Sequence, residues 1–251
     1  MKNFFYFLIF LFLGACQSIT PPLSFHYQEI QTQTFKLASW QKITDPTHAY
    51  KIYIEGDGYA FNRHGRPSQN PTPKSLLMRQ IAFNDPSPNV IYLARPCQYV
   101  QDDFCAPRHW TTARFAPEVI NAMYEEIEQL APNKPLLLIG YSGGAQVAGL
   151  LATAKPGLSV KKIITIAGNL NHEEWTRQKK LHPLNESLSL SDYREKYLKI
   201  PQIHYIGEKD SIIYPFITQN FIQSKTNIHF IPNATHWNGF ESIYPLIWNE
   251  H

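Results

Sequence analysis

Three side chains, met in order along the chain, have the chemistry for acyl transfer: Ser142, then Asp210, then His236. Ser142 closes an apolar run, Pro135-Leu136-Leu137-Leu138-Ile139, that enters Gly140-Tyr141-Ser142-Gly143-Gly144 and continues with Ala145, Gln146, Val147, Ala148 and Gly149. A serine hydroxyl is a weak nucleophile until a base takes its proton. That base in turn needs a third group to fix its tautomer and stabilise its cation. Two carboxylates, Glu208 and Asp210, follow the apolar run 202–206 closely, so both are candidates for the third group. Of the histidines further on, His229 falls within a predicted strand and His251 is the last residue, whereas His236 occupies the loop 233–239. The reading is Ser142 as nucleophile, His236 as general base and Asp210 as orienting acid, with Glu208 as its rival. No role attaches to His26, His48, His64 or His182.

These residues need a scaffold. A strand running into G-x-S-x-G predicts a strand-to-helix turn so tight that its flanking residues must lack bulk, and Gly140, Gly143 and Gly144 meet that need while tolerating strained backbone. The helix that follows would present the Gly143 N–H to developing negative charge. A second donor is expected from Glu55-Gly56-Asp57-Gly58, after the strand 50–54, through the backbone N–H of Gly56, Asp57 or Gly58. Asp57 is the difficulty, because a carboxylate beside an oxyanion repels it. Its side chain is therefore expected to turn away, capping a backbone or pairing with Arg63, Arg66 or Arg95.

Further strands are predicted at 89–94, 160–167, 202–206 and 227–231, with an antiparallel edge from 24–30 and 33–40. Thr72-Pro73 carries the signature of a capped helix start. Pro117 opens a longer helix with Val119, Ile120, Met123, Ile127 and Leu130 on one face and Glu125, Glu126 and Glu128 mostly outward. A closing helix is expected over 239–248. The alternation of strands and helices predicts an α/β fold with a mainly parallel central sheet flanked by helices. Residues 169–199, polar and charged, read equally as a small cap over the sheet's carboxyl edge or as a plain crossover with long loops.

Composition narrows the function classes. A net charge of +3 with no basic block gives no reason to expect nucleic acid as a partner. Aromatic residues make up 14% of the chain, which leaves room for a rival reading as a non-catalytic binding or envelope-interaction module on the same scaffold. No metal or other cofactor is implied. The chain opens with Lys2 and an apolar run, 4–13, too short to span a membrane, which needs about 20 residues. Leu13-Gly14-Ala15-Cys16 resembles the lipobox of bacterial lipoprotein signal peptides. That resemblance implies a signal peptide over 1–15, a lipidated tether over 16–23 anchored to membrane through Cys16, and a domain over 24–251. Gln17 resembles the sorting pattern for the outer membrane in Gram-negative bacteria. Cys97 and Cys105 then remain, and in an exported protein their separation predicts a disulfide. His109 gives no recognised zinc spacing with them.

Glu55-Gly56-Asp57-Gly58, Ala94-Arg95-Pro96-Cys97-Gln98 with Cys105, and Gly140-Tyr141-Ser142-Gly143-Gly144 together resemble a group of exported bacterial α/β-hydrolases without an assigned substrate, over residue 24 to the end. The resemblance implies the α/β-hydrolase fold and the chain order nucleophile, acid, histidine. It also favours Asp210 over Glu208, since strand-glycine-x-x-Asp is the family's acid pattern. The activity implied is hydrolysis of an ester, thioester or amide bond in a small or lipid-like acyl substrate, in the bacterial envelope.

Overall fold

The computed structural model describes residues 20–224 and 227–250. The expected signal segment 1–15, Cys16 and His251 lie outside the described residues. Eight strands form one sheet: β1 (His26–Gln31), β2 (Lys36–Ile43), β3 (Tyr50–Ile54), β4 (Asn89–Leu93), β5 (Pro135–Tyr141), β6 (Ser159–Ile166), β7 (Gln202–Gly207) and β8 (Ile228–Ile231). Their order across the sheet is β1-β2-β4-β3-β5-β6-β7-β8. The β1–β2 and β2–β4 pairs are antiparallel and every other pair is parallel.

Strands β3 and β4 are buried at every position, as expected of parallel strands covered on both faces. Alternate residues serve two cores. Ile52, Ile54, Leu136 and Leu138 pack with residues of α2 (Pro117–Leu130) and α3 (Gly143–Thr153). Tyr53, Leu137 and Ile139 face the other way, toward α1 (Leu77–Phe83) and the C-terminal α7 (Tyr244–Trp248). Between β6 and β7 lie α4 (His172–Lys179), a single 3-10 turn and α5 (Arg194–Tyr197). One further helix, α6 (Pro215–Ile222), lies in a stretch where no helix is predicted.

Three expectations need correction. Thr72-Pro73 does not open a helix: α1 begins at Leu77 without a side-chain cap, and Thr72 Oγ1 instead accepts from the Tyr99 N–H at 2.7 Å. The closing helix starts later than residue 239, as a 3-10 turn at Glu241–Ile243 running into α7. Glu126 does not face outward but is wholly buried, with neither carboxylate oxygen hydrogen-bonded among the described residues. Glu126 follows Val119 by seven residues and Met123 by three, so helical periodicity places it on the same buried face as them, and its charge is what misleads.

Candidate active site

Strand β5 ends at Tyr141 and α3 begins at Gly143, so Ser142 alone makes the turn. It has φ 51° and ψ −120°, a region that non-glycine residues rarely enter. Backbone bonds hold it there. The Ser142 N–H donates to Ile166 O at 3.0 Å, and its carbonyl accepts from the N–H groups of Ala145 (3.1 Å) and Asn169 (2.9 Å). The neighbouring glycines supply room. A Cβ on Gly140 would lie 2.5 Å from Gly144 O, and one on Gly144 would lie 2.4 Å from Ile54 O. Gly140, Gly143 and Gly144 are all absent from the positive-φ residues, so the strain expected of them resides on Ser142 itself.

His236 follows β8 in the loop leading to α7. Its Nε2 lies 3.0 Å from Ser142 Oγ and its Nδ1 lies 2.8 Å from Asp210 Oδ2. The second Asp210 oxygen accepts from the Ile212 and Ile213 N–H groups at 2.8 and 2.9 Å. A carboxylate beside Nδ1 selects the tautomer that keeps its proton there, which leaves the Nε2 lone pair facing the serine hydroxyl. The Tyr141 hydroxyl donates to the His236 carbonyl at 2.9 Å and steadies the loop. Ser142, Asp210 and His236 are all buried, whereas Glu208 is exposed. The arrangement can move a proton from Ser142 to His236 while a fixed negative charge stabilises the resulting imidazolium.

The loop after β3 lies beside this turn. The Gly56 N–H is already committed, donating to Glu55 Oε1 at 2.9 Å, which leaves the backbone N–H groups of Asp57 and Gly58 as donors from this loop. Glu55 also accepts from the Tyr92 hydroxyl at 2.6 Å, and burial raises its carboxyl above the ordinary value despite these bonds. Gln98 straps the loop from below. Its Nε2 donates to Gly56 O at 2.9 Å while its Oε1 accepts from the Arg95 N–H at 3.0 Å. The disulfide Cys97–Cys105, with Cα atoms 5.6 Å apart, anchors that strap.

Asp57 does not turn away from Gly143, the residue after Ser142. A Cβ on Gly143 would fall 2.1 Å from Asp57 Oδ1, so the carboxylate packs directly on the Gly143 Cα. Its charge is countered instead. Arg114 Nη1 donates to Oδ2 at 2.5 Å and Arg95 Nη1 to Oδ1 at 3.3 Å. Burial alone would raise the Asp57 carboxyl, but the two guanidiniums, Arg114 foremost, hold it below the usual value. Of the three arginines considered from the sequence, Arg95 makes the pair, while exposed Arg63 donates to His64 and Arg66 is exposed. Sequence reasoning missed Arg114, which sits among consecutive turns with no periodicity to mark it.

Ser142 and His236 open onto a cavity of ≈ 1180 Å³, which Asp57, Gly58 and Arg114 also line. One wall comes from the loop between β3 and α1. The other comes from α4, the stretch behind it, and Ile212 and Ile213. Segment 169–199 crosses between β6 and β7, and its Trp175, Leu181, His182 and Leu184 line part of the cavity. Among the described residues, no group of three or more His, Cys, Asp or Glu side chains is placed to hold a metal ion.

The model of the family described as Serine hydrolase (FSH1) matches residues 103–240, more than half of the chain. The chain belongs to the FSH1 serine hydrolase family. No curated protein sequence matches this serine hydrolase. Solved structures share its fold. The Pyrococcus furiosus esterase Pf2001 is 18% identical, with a TM-score of 0.57, over 90% of this chain and 88% of that one. The serine hydrolase CCSP0084 of the polyaromatic hydrocarbon-degrading bacterium Cycloclasticus zankles is 13% identical, with a TM-score of 0.61, over 89% and 96%. Est1E from Butyrivibrio proteoclasticus is 14% identical, with a TM-score of 0.61, over 88% and 94%. Such likenesses make the fold that of the α/β-hydrolases, and with the family they make the protein a hydrolase.

Proposed function

We propose that this serine hydrolase cleaves an ester or related acyl bond through an acyl-enzyme on Ser142, in the bacterial envelope. The observation that carries the reading is the continuous contact from Ser142 Oγ through His236 to Asp210, at 3.0 and 2.8 Å, behind a strained turn. Ser142 Oγ attacks the carbonyl carbon as His236 Nε2 takes its proton. The tetrahedral oxyanion receives the Gly143 N–H and an N–H from Asp57 or Gly58. The acyl–oxygen bond then breaks, and His236 gives its proton to the departing alcohol. Water, deprotonated by His236, attacks the acyl-enzyme and releases the acid and Ser142.

Labelling with a fluorophosphonate tests this. The wild-type chain takes the label and Ser142→Ala does not; a label that survives the substitution removes Ser142 as the nucleophile. Lipid attachment at Cys16 is the proposed tether, holding the protein at the outer membrane and facing the periplasm. The lipobox-like Leu13-Gly14-Ala15-Cys16 supports it, as does the Cys97–Cys105 disulfide, which suits an oxidising compartment. No helix among the described residues is long and apolar enough to cross a membrane. Cys16→Ser is expected to move the protein from the membrane pellet to the soluble fraction, and continued pelleting would exclude this tether.

A further inference from the structure

The cavity beside Ser142 is large for a small-ester site and mainly apolar. Its ≈ 1180 Å³ exceeds the roughly 300–1,000 Å³ of ordinary small-molecule pockets. Ala60, Leu76, Leu77 and Leu184 line it from its two walls. Further out, Phe61, Leu181 and Trp237 line the same cavity while 43%, 48% and 49% exposed. These are large apolar side chains left partly in water, and they come from three separate segments of the chain. Such convergence marks a surface that meets an apolar partner.

The cations lining the cavity are already engaged. Arg114 donates to Asp57 and, through Nε, to Thr111 O at 2.7 Å, with its guanidinium between the rings of Phe61 (5.9 Å) and Trp175 (5.6 Å). Lys74 Nζ lies 3.3 Å from the centre of the Tyr59 ring. An anionic head group would have to compete with these contacts. An aliphatic chain would not, and it would cover the exposed rim.

We propose that the substrate carries a long aliphatic chain on the bond that Ser142 attacks, and that this chain fills the cavity between the β3–α1 loop and the α4 segment. The proposal rests on Ser142 being the nucleophile. The chain enters either as the acyl group or as the alcohol, and two ester series separate the cases. One is p-nitrophenyl esters with acyl groups of two to ten carbons; the other is alkyl acetates with alcohols of the same lengths. Each buried methylene strengthens binding by up to about fourfold. In one series kcat/KM is therefore expected to rise at least tenfold between four and eight carbons. A profile that peaks at two to four carbons and then falls in both series overturns the proposal.

Two variants link the effect to the cavity. Ala60→Trp fills it and is expected to shift the optimum to shorter chains. Leu181→Asp, at the exposed rim, is expected to lower the ratio of eight-carbon to two-carbon kcat/KM at least fivefold. Should Ala60→Trp fail to fold, Leu181→Asp still decides, and an unchanged ratio counts against the assignment. Failure of the underlying reading looks different, because fluorophosphonate would then label Ser142→Ala whatever the chain-length profile.

Discussion

Ser142 adopts a backbone conformation that costs on the order of 1–3 kcal/mol in a non-glycine residue. Ser142→Gly is therefore expected to melt at a higher temperature than Ser142→Ala, although both lack the hydroxyl, because only glycine relieves the strain. Equal melting temperatures would mean that the turn stores none. Asp57 presents the opposite problem, a carboxylate beside the site that is tolerable only with its two arginines. Asp57→Asn leaves Arg95 and Arg114, both buried, without their counter-charge, and removing one partner of a buried pair costs up to about 3–5 kcal/mol. The loop N–H groups also lose their fixed position against Gly143. The expected result is a lower melting temperature and a fall in kcat of tenfold or more, with KM changed little. A loss confined to KM would assign Asp57 to substrate binding instead.

Among the elements, the segment joining β4 to α2 does more than connect. It contributes Arg95, Gln98, both cysteines and Arg114, and through Gln98 it fixes the loop after β3. Replacing Cys97 and Cys105 by serine removes a short loop closure worth about 2–3 kcal/mol. Chemical denaturation should register that loss, and kcat is expected to fall with it as the strap loosens. Helix α2 carries a different liability in Glu126. Burial raises its carboxyl well above the ordinary value of 4.5, so the folded protein keeps the proton that the unfolded chain loses. Below about pH 4.5 both states are protonated and the shift costs nothing. As pH climbs above that, the unfolded state ionises, and stability falls until the folded carboxyl itself ionises. Glu126→Met is expected to stabilise by about 1–3 kcal/mol at pH 7.5, where it also removes unsatisfied polar atoms, and by less at pH 4. A gain that is equal at both values would refute the assigned protonation.

Across the whole molecule, what the sequence reveals follows the range of the interaction. The strands and the order of Ser142, Asp210 and His236 are legible because apolar runs and the loops that end them are local patterns. Glu126 misleads because a carboxylate reads as outward, although its place seven residues after Val119 and three after Met123 puts it on the face that packing buries. Arg114 is invisible because its partner, Asp57, lies 57 residues away and nothing in the intervening chain registers the pairing. The Thr72-Pro73 signature is genuine hydrogen-bonding capacity, but Tyr99 takes it rather than a helix. Distance along the chain also sets when the site can exist. Ser142 and His236 touch across 94 residues, and the loop bearing His236 itself contributes Ala234 and Phe240 to the core that Ile247 of α7 also joins. On the proposed mechanism, Ser142 emerges during synthesis long before the base it needs, so a chain cut short of His236 is expected to be chemically silent. The proposed chemistry would then wait until β8 and α7 have docked and carried His236 to Ser142.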